Sequence, residues 1–251
     1  AKTLFPYTTL FRSQQDLVEL RDRLLRAVAA VIVVFVCLMP WAGDIYDILA
    51  HPMMQALPEG TRMIATGVVT PFFVPMKVTL LVAFVIALPF VLYQAWCFIA
   101  PGLYAHEKRL GLPLVIGSTV LFLAGMAFCY FFVFGTVFRF ISQFAPKSIT
   151  PAPDIEQYLA FVMSMFLAFG VTFEVPVFVI VLVKLGVVDV AKLKEARPYV
   201  IVGAFIVAAV LTPPDVVSQL MLAIPMCLLY ELGIFLARFV TKTQAEEEAA
   251  G

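Results

Sequence analysis

Residues 158–185 read YLAFVMSMFLAFGVTFEVPVFVIVLVKL, a run uncharged except for Glu174 in its second half and Lys184 near its end. A helix crosses a bilayer with about 20 apolar residues at 1.5 Å rise per residue, so this run is a membrane span and not a soluble core helix. A carboxylate at mid-membrane costs roughly 2.5–3.5 kcal/mol on insertion scales, and such groups face a bundle interior or a wet cavity. Pro176 lacks an N–H and frees a carbonyl one turn earlier, so the helix is expected to kink there. Two readings of Glu174 stay open: a functional polar group in the membrane, or a protonated glutamic acid bonded to the freed carbonyl.

The rest of the chain agrees with a membrane setting. Of 251 residues, 63% are apolar and 14% charged, with a mean hydropathy of +1.00. Soluble domains carry about 25% charge, so a single aqueous fold is excluded. The net charge of zero gives no electrostatic footprint for nucleic acid. Further apolar runs are Leu25–Ala42, Pro71–Phe98, Leu112–Phe138, Tyr199–Leu211 and Val216–Leu236. That makes six spans in an all-α, polytopic integral membrane protein. The fifth is short, its 13 residues reaching only about 20 Å, which implies local thinning or shielding by partners. Pro213 and Pro214 stop it, and Asp215 is placed to cap the sixth. Cys37, Cys97, Cys129 and Cys227 have no metal-ligand spacing and read as packing residues.

Charge sets the orientation. With six spans, Lys2, Arg12, Arg21, Arg23, Arg26, Lys108, Arg109, Lys184, Lys192, Lys194, Arg197, Arg238 and Lys242 fall on one side, and Arg62, Lys77, Arg139 and Lys147 on the other. Thirteen cations against four put both termini in the cytoplasm by the positive-inside rule. The longest outer loops are then about 43–70 and 139–157. The start shows no small-residue cleavage site after a short apolar core, so no cleavable signal peptide is expected. Three units follow: a leader at 1–13, a six-helix domain at 14–240, and a disordered, solvated tail at 241–251.

No phosphate loop, metalloprotease motif or nucleophile elbow occurs, so neither an enzyme nor a cofactor or metal site is expected. Three groups could carry function. In Asp16-Leu-Val-Glu19-Leu-Arg21-Asp-Arg23-Leu, Leu17, Leu20 and Leu24 make an amphipathic lead-in. Glu19 and Arg23 stand at i, i+4, a spacing worth about 0.2–0.5 kcal/mol; simple surface pairing is the competing reading. The second group, Phe98-Ile-Ala-Pro101-Gly-Leu-Tyr104-Ala-His106-Glu107-Lys108-Arg109, joins spans two and three, and Glu107 beside two cations could equally be a self-neutralised loop. The third is Glu174 with its flanking Phe169-Gly170 and Pro176.

With Ile64-Ala-Thr66, Pro71-Phe72-Phe73, Tyr93-Gln94-Ala-Trp96, Arg197-Pro198-Tyr199 and Leu211-Thr212-Pro213-Pro214-Asp215 added in order from residue 16 to about 240, the chain resembles TatC, the polytopic core of the twin-arginine protein translocase. Asp16 stands where that family commonly has a histidine. Residues 1–13 match no family start; Lys2–Ser13 reads as translated sequencing adapter and is assigned no function, and without Lys2 and Arg12 the cation contrast is still eleven to four.

The resemblance implies a receptor in the bacterial cytoplasmic (inner) membrane for signal peptides with two consecutive arginines, helping move folded cargo with the proton motive force. Its implied recognition carboxylates are Glu19 and Glu107, with Arg21, Arg23, Phe98 and Pro101 in the same site. A guanidinium is a planar fork that a carboxylate accepts bidentately, and lysine keeps the charge but loses the fork. The resemblance also implies a cupped bundle with Glu174 on its concave, wet face, and docking of single-span TatA- and TatB-like proteins at Thr212 and Gln219. For Gln219, ordinary capping after Asp215 is the competing reading. Pro52 and the outer loops would make periplasmic contacts closing a homo-oligomer within the complex, with Arg21 and Arg23 near membrane lipid. The alternative class is a proton-coupled small-solute transporter with Glu174 as titrating group. One buried carboxylate without a membrane-embedded partner is a poor relay, and the halves show no inverted repeat.

Overall fold

The computed structural model describes the backbone of residues 5–56, 63–99, 108–144, 153–212 and 216–250, and side chains within 17–51, 54, 63–99, 111–140, 153–212 and 216–238. Ten α-helices are described: α1 (Phe5–Leu38), α2 (Ala42–Ala56), α3 (Thr70–Ile99), α4 (Lys108–Phe128), α5 (Phe134–Phe144), α6 (Ile155–Phe173), α7 (Val175–Lys184), α8 (Val190–Glu195), α9 (Arg197–Leu211) and α10 (Val216–Ala250). Among the described residues, five helical stretches are long and apolar enough to cross a membrane, and the shorter apolar α9 makes six. No strand is described beyond one isolated bridge between Ile64 and Asp154.

Several spans are composite. α1 passes through a 3₁₀ turn, Met39–Trp41, into α2, with Pro40 at the start of that turn. α4 passes through a π turn, Cys129–Val133, into α5, one extra residue packed into the helical path. α6 and α7 meet at Glu174, so the expected kink before Pro176 is an interruption. There the Glu174 N–H donates to Val171 O at 3.1 Å, and Phe178 N–H donates to Glu174 O at 2.9 Å.

The stretch read as a long outer loop at 43–70 is in part the helix α2. Ile45, Tyr46 and Leu49 pack on Val74, Val78 and Leu159 of α3 and α6, which gives α2 an apolar face to bury. Tyr158 Oη donates to Leu49 O at 3.0 Å and Tyr130 Oη to Ile48 O at 3.3 Å, fixing α2 to the bundle. The tail read as disordered is helical to Ala250, in keeping with the high helix propensity of its Ala and Glu residues.

The core divides along the span axis. Phe134, Phe138, Phe166 and Phe169 centre a large aromatic cluster, with rings 5.2–5.7 Å apart in several pairs. Trp96, Val115, Val177 and Val181 form a second cluster, and Val179, Val183, Leu193, Tyr230 and Ile234 a third. Close approach of α4 and α6 depends on glycine: a Cβ on Gly125 would stand 2.5 Å from Phe169 O.

Candidate functional site

α1 and α3 run antiparallel, so the middle of α1, from Leu20 to Ala27, lies beside the end of α3. Leu20, Arg23, Leu24 and Ala27 face Val91, Gln94, Ala95, Phe98 and Ile99 across an open cleft of ≈ 200 Å³. Its walls are apolar because both helices carry membrane-facing residues here; its polar rim is Arg23, Gln94 and, one turn before Arg23, Glu19. Arg23 donates to Glu19 Oε1 through Nε at 2.8 Å and Nη2 at 2.6 Å. Arg23 Nη1 lies 3.5 Å from Gln94 Oε1, a long contact. The Glu19 side chain is 48% exposed and Arg23 24%. Arg21 is directed elsewhere and pairs with its neighbour Asp22 at 2.8 Å.

Glu19, Arg23 and Phe98 are thus brought together. Pro101 and Glu107 lie outside the described residues, in the connection between Ile99 and Lys108. That connection leaves α3 from the residues that wall the cleft.

Further along the span axis, Trp96 Nε1 donates to Ser118 Oγ at 2.8 Å, and Ser118 Oγ donates to Glu174 Oε2 at 2.6 Å. The three residues tie α3, α4 and the α6–α7 joint. The Glu174 side chain therefore bonds Ser118 and not the carbonyl freed by Pro176. Its Oε1 is buried without a hydrogen-bond partner among the described residues, so it can accept one further donor. Ser118 was not singled out by sequence reasoning, and Trp96 entered only within the stretch Tyr93–Trp96 of the family resemblance. The available signal was Ser118 itself, a hydroxyl in an apolar run facing the segment of Glu174.

At the α9–α10 hairpin, Thr212 is buried and its Oγ1 donates back to Ala208 O at 2.8 Å. Gln219 Nε2 donates across to Phe205 O of α9 at 3.2 Å, a stitch between the two helices instead of a cap. Asp215 lies outside the described residues, and Pro52 falls within α2 with its side chain outside them. Arg197 at the start of α9 pairs with Glu231 of α10 at 2.7 Å.

The end of the bundle opposite the cleft is tied by the described parts of two connections, 63–69 and 153–154. Ile64 N–H donates to Pro153 O at 3.0 Å and Ile155 N–H to Ile64 O at 2.9 Å. Asp154 Oδ2 accepts from Thr66 N–H at 3.0 Å and Thr66 Oγ1 at 2.7 Å, while Oδ1 caps α6 through Glu156 and Gln157 N–H. The Thr66 hydroxyl, followed by these backbone N–H groups, holds the Asp154 carboxyl below the usual carboxylate range. Lys77 and Glu156 pair alongside at 2.8 Å.

Residues 15–225 match the family described as Sec-independent protein translocase protein (TatC). The chain is 54% identical over 223 residues to the Sec-independent protein translocase protein TatC of Haemophilus influenzae, covering 89% of this chain and 87% of that one. It is 51% identical over 233 residues to the protein of that name from Escherichia coli, covering 92% and 90%. The crystal structure of the twin arginine translocase receptor TatC superposes with a TM-score of 0.79 at 39% identity, over 90% of this chain and 99% of that one. On fold, length and sequence together, the chain belongs to the TatC family of Sec-independent protein translocase proteins.

Proposed function

We propose that this chain is the receptor at which the twin-arginine system of the bacterial cytoplasmic membrane takes up signal peptides carrying Arg-Arg, ahead of movement of the folded cargo with the proton motive force. The observation that carries the reading is the α1–α3 cleft. It sets an exposed carboxylate, Glu19, at the mouth of an apolar trough lined by Phe98 and Ile99, the last described residues before the segment that bears Glu107. One carboxylate takes one guanidinium bidentately, so Glu19 and Glu107 are the two acceptors for two arginines. The trough takes the apolar residues that follow them, and Pro101 shapes the connection. Arg21 faces lipid phosphate or the aqueous surface.

Both termini are cytoplasmic in this reading, residues 14–240 are the working domain, and residues 1–13 have no role. TatA- and TatB-like helices dock at the α9–α10 hairpin through Gln219, whose amide oxygen is left to accept, with Thr212 shaping that hairpin. Interhelical polar bonds in membranes average about 0.6 kcal/mol, which suits exchangeable partners. Glu174 offers its free oxygen to a polar group of such a helix, and Pro52 and the outer loops meet a second copy. The transporter reading has lost its support, because the chain's relatives are translocase proteins.

The test is binding of Arg-Arg and Lys-Lys signal peptides to membranes holding the natural chain or Glu107→Ala. The expected result is tight binding of the Arg-Arg peptide alone, lost in the variant. Equal binding of both peptides, unaffected by the substitution, overturns the reading.

A further inference from the structure

We propose that Arg23 is an internal stand-in for the incoming arginine: it occupies Glu19 in the empty receptor, and the ligand displaces it toward Gln94. The inference rests on the receptor reading and deepens it. A bidentate guanidinium needs both oxygens of a carboxylate. Two Arg23 donors converge on Glu19 Oε1 at 2.6 and 2.8 Å, and Oε2 carries no bond among the described residues. A ligand arginine can therefore reach at most one free oxygen until Arg23 leaves.

Arg23 has somewhere to go. Its Nη1 already stands 3.5 Å from Gln94 Oε1, and Gln94 is a buried amide on the far wall of the cleft. A small rotation that shortens this contact would convert it into a full hydrogen bond and clear both oxygens of Glu19. The guanidinium would remain in the cleft, over the apolar trough lined by Leu20, Leu24 and Phe98. Arg23 is thus a positioning residue. It holds Glu19 oriented before the ligand arrives and sets a threshold that every ligand must overcome.

A competitor of this kind lowers the affinity of all ligands by one common factor and leaves their ratio unchanged. Removing it should tighten binding by about two- to fivefold, because an exposed ion pair holds no more than that. The experiment measures binding of Arg-Arg and Lys-Arg signal peptides to membranes containing full-length Glu19→Gln, Arg23→Gln, Arg23→Lys, Gln94→Leu or the Arg23→Gln/Gln94→Leu pair, with thermal unfolding of each variant as the folding control. Arg23→Gln is expected to tighten both peptides by the same factor, and Arg23→Lys, which keeps charge but loses the fork, by a smaller one. Gln94→Leu is expected to weaken binding when Arg23 is present and to do nothing when Arg23 is Gln.

The proposal is overturned if folded Arg23→Gln binds the Arg-Arg peptide equally or more weakly, or if Gln94→Leu acts alike in both backgrounds. Loss of binding in Glu19→Gln together with either result sinks the displacement and leaves the receptor reading standing. Unchanged binding in Glu19→Gln sinks the receptor reading itself.

Discussion

Ser118 accepts from an indole N–H and donates to a carboxylate, and it is fully buried. Ser118→Ala would strand both Trp96 Nε1 and Glu174 Oε2, an unmade-bond penalty of about 1–3 kcal/mol. A clear fall in the thermal midpoint of the solubilised protein is expected. Thr119→Ala removes only a bond to its own helix at Val115 O and should change little; equal effects would dismiss the relay. Asp154 gives the pH prediction. Its folded-state pKa is depressed, so its stabilisation is present above the unfolded value of about 3.9 and lost as pH falls through the folded value below it. Amide exchange at Ile64 and Thr66 should accelerate on acidification below about pH 4, and Asp154→Asn should flatten that dependence. A pH-independent natural chain would refute the assignment. Glu174 was conspicuous in the sequence because a charge in an apolar run is conspicuous. Its partner was not, because a serine contributes almost nothing to hydropathy and the pairing joins residues 56 apart.

At the scale of elements, α4 and α6 meet through Gly125 and Gly170. Gly125→Ala places a methyl 2.5 Å from the Phe169 carbonyl and 2.9 Å from the Phe173 ring. Backbone cannot yield as a flexible side chain can, so an overpacking loss of about 1–3 kcal/mol is expected. Gly117 and Gly203 have nothing within 4 Å of such a methyl. Alanine there should be neutral or stabilise by roughly 0.5–1 kcal/mol through helix propensity. A thermal-shift series over these positions decides it, and uniform behaviour would contradict the close approach. The long spans were legible because each is a continuous apolar run of bilayer length. α2 was not, because its apolar face gains meaning only from Val74, Val78 and Leu159, which are remote in sequence. The joint at Glu174 was half legible: proline announced a disturbance, but the side chain's destination depended on another helix.

For the molecule as a whole, six apolar runs predicted six crossings, and the six described apolar helices agree; the contrast of cations between alternate connections then predicts their sidedness. Its sidedness leads to a direct test. Protease added to intact spheroplasts should spare a tag at the C-terminus, and the same protease should remove it from inverted membranes. Cleavage in the intact cells would reverse the orientation and move Glu19 to the wrong side for a cytosolic ligand. What the sequence could not convey is the contrast between the two ends. One is sewn by backbone bonds from Ile64 to Pro153 and Ile155, and the other is left with an exposed ion pair at the mouth of a cleft.

The wide turn at Cys129–Val133 has a consequence for any attempt to shorten this chain. A wide turn takes up one surplus residue within itself, so deleting a single amino acid there would let the span relax to regular winding with everything beyond it still facing as it does. Phe134 and Phe138 would keep Phe161 and Phe166 as neighbours. A deletion in the regular winding of α4 has no such slack, and there the loss of one residue would swing the same rings by about 100°.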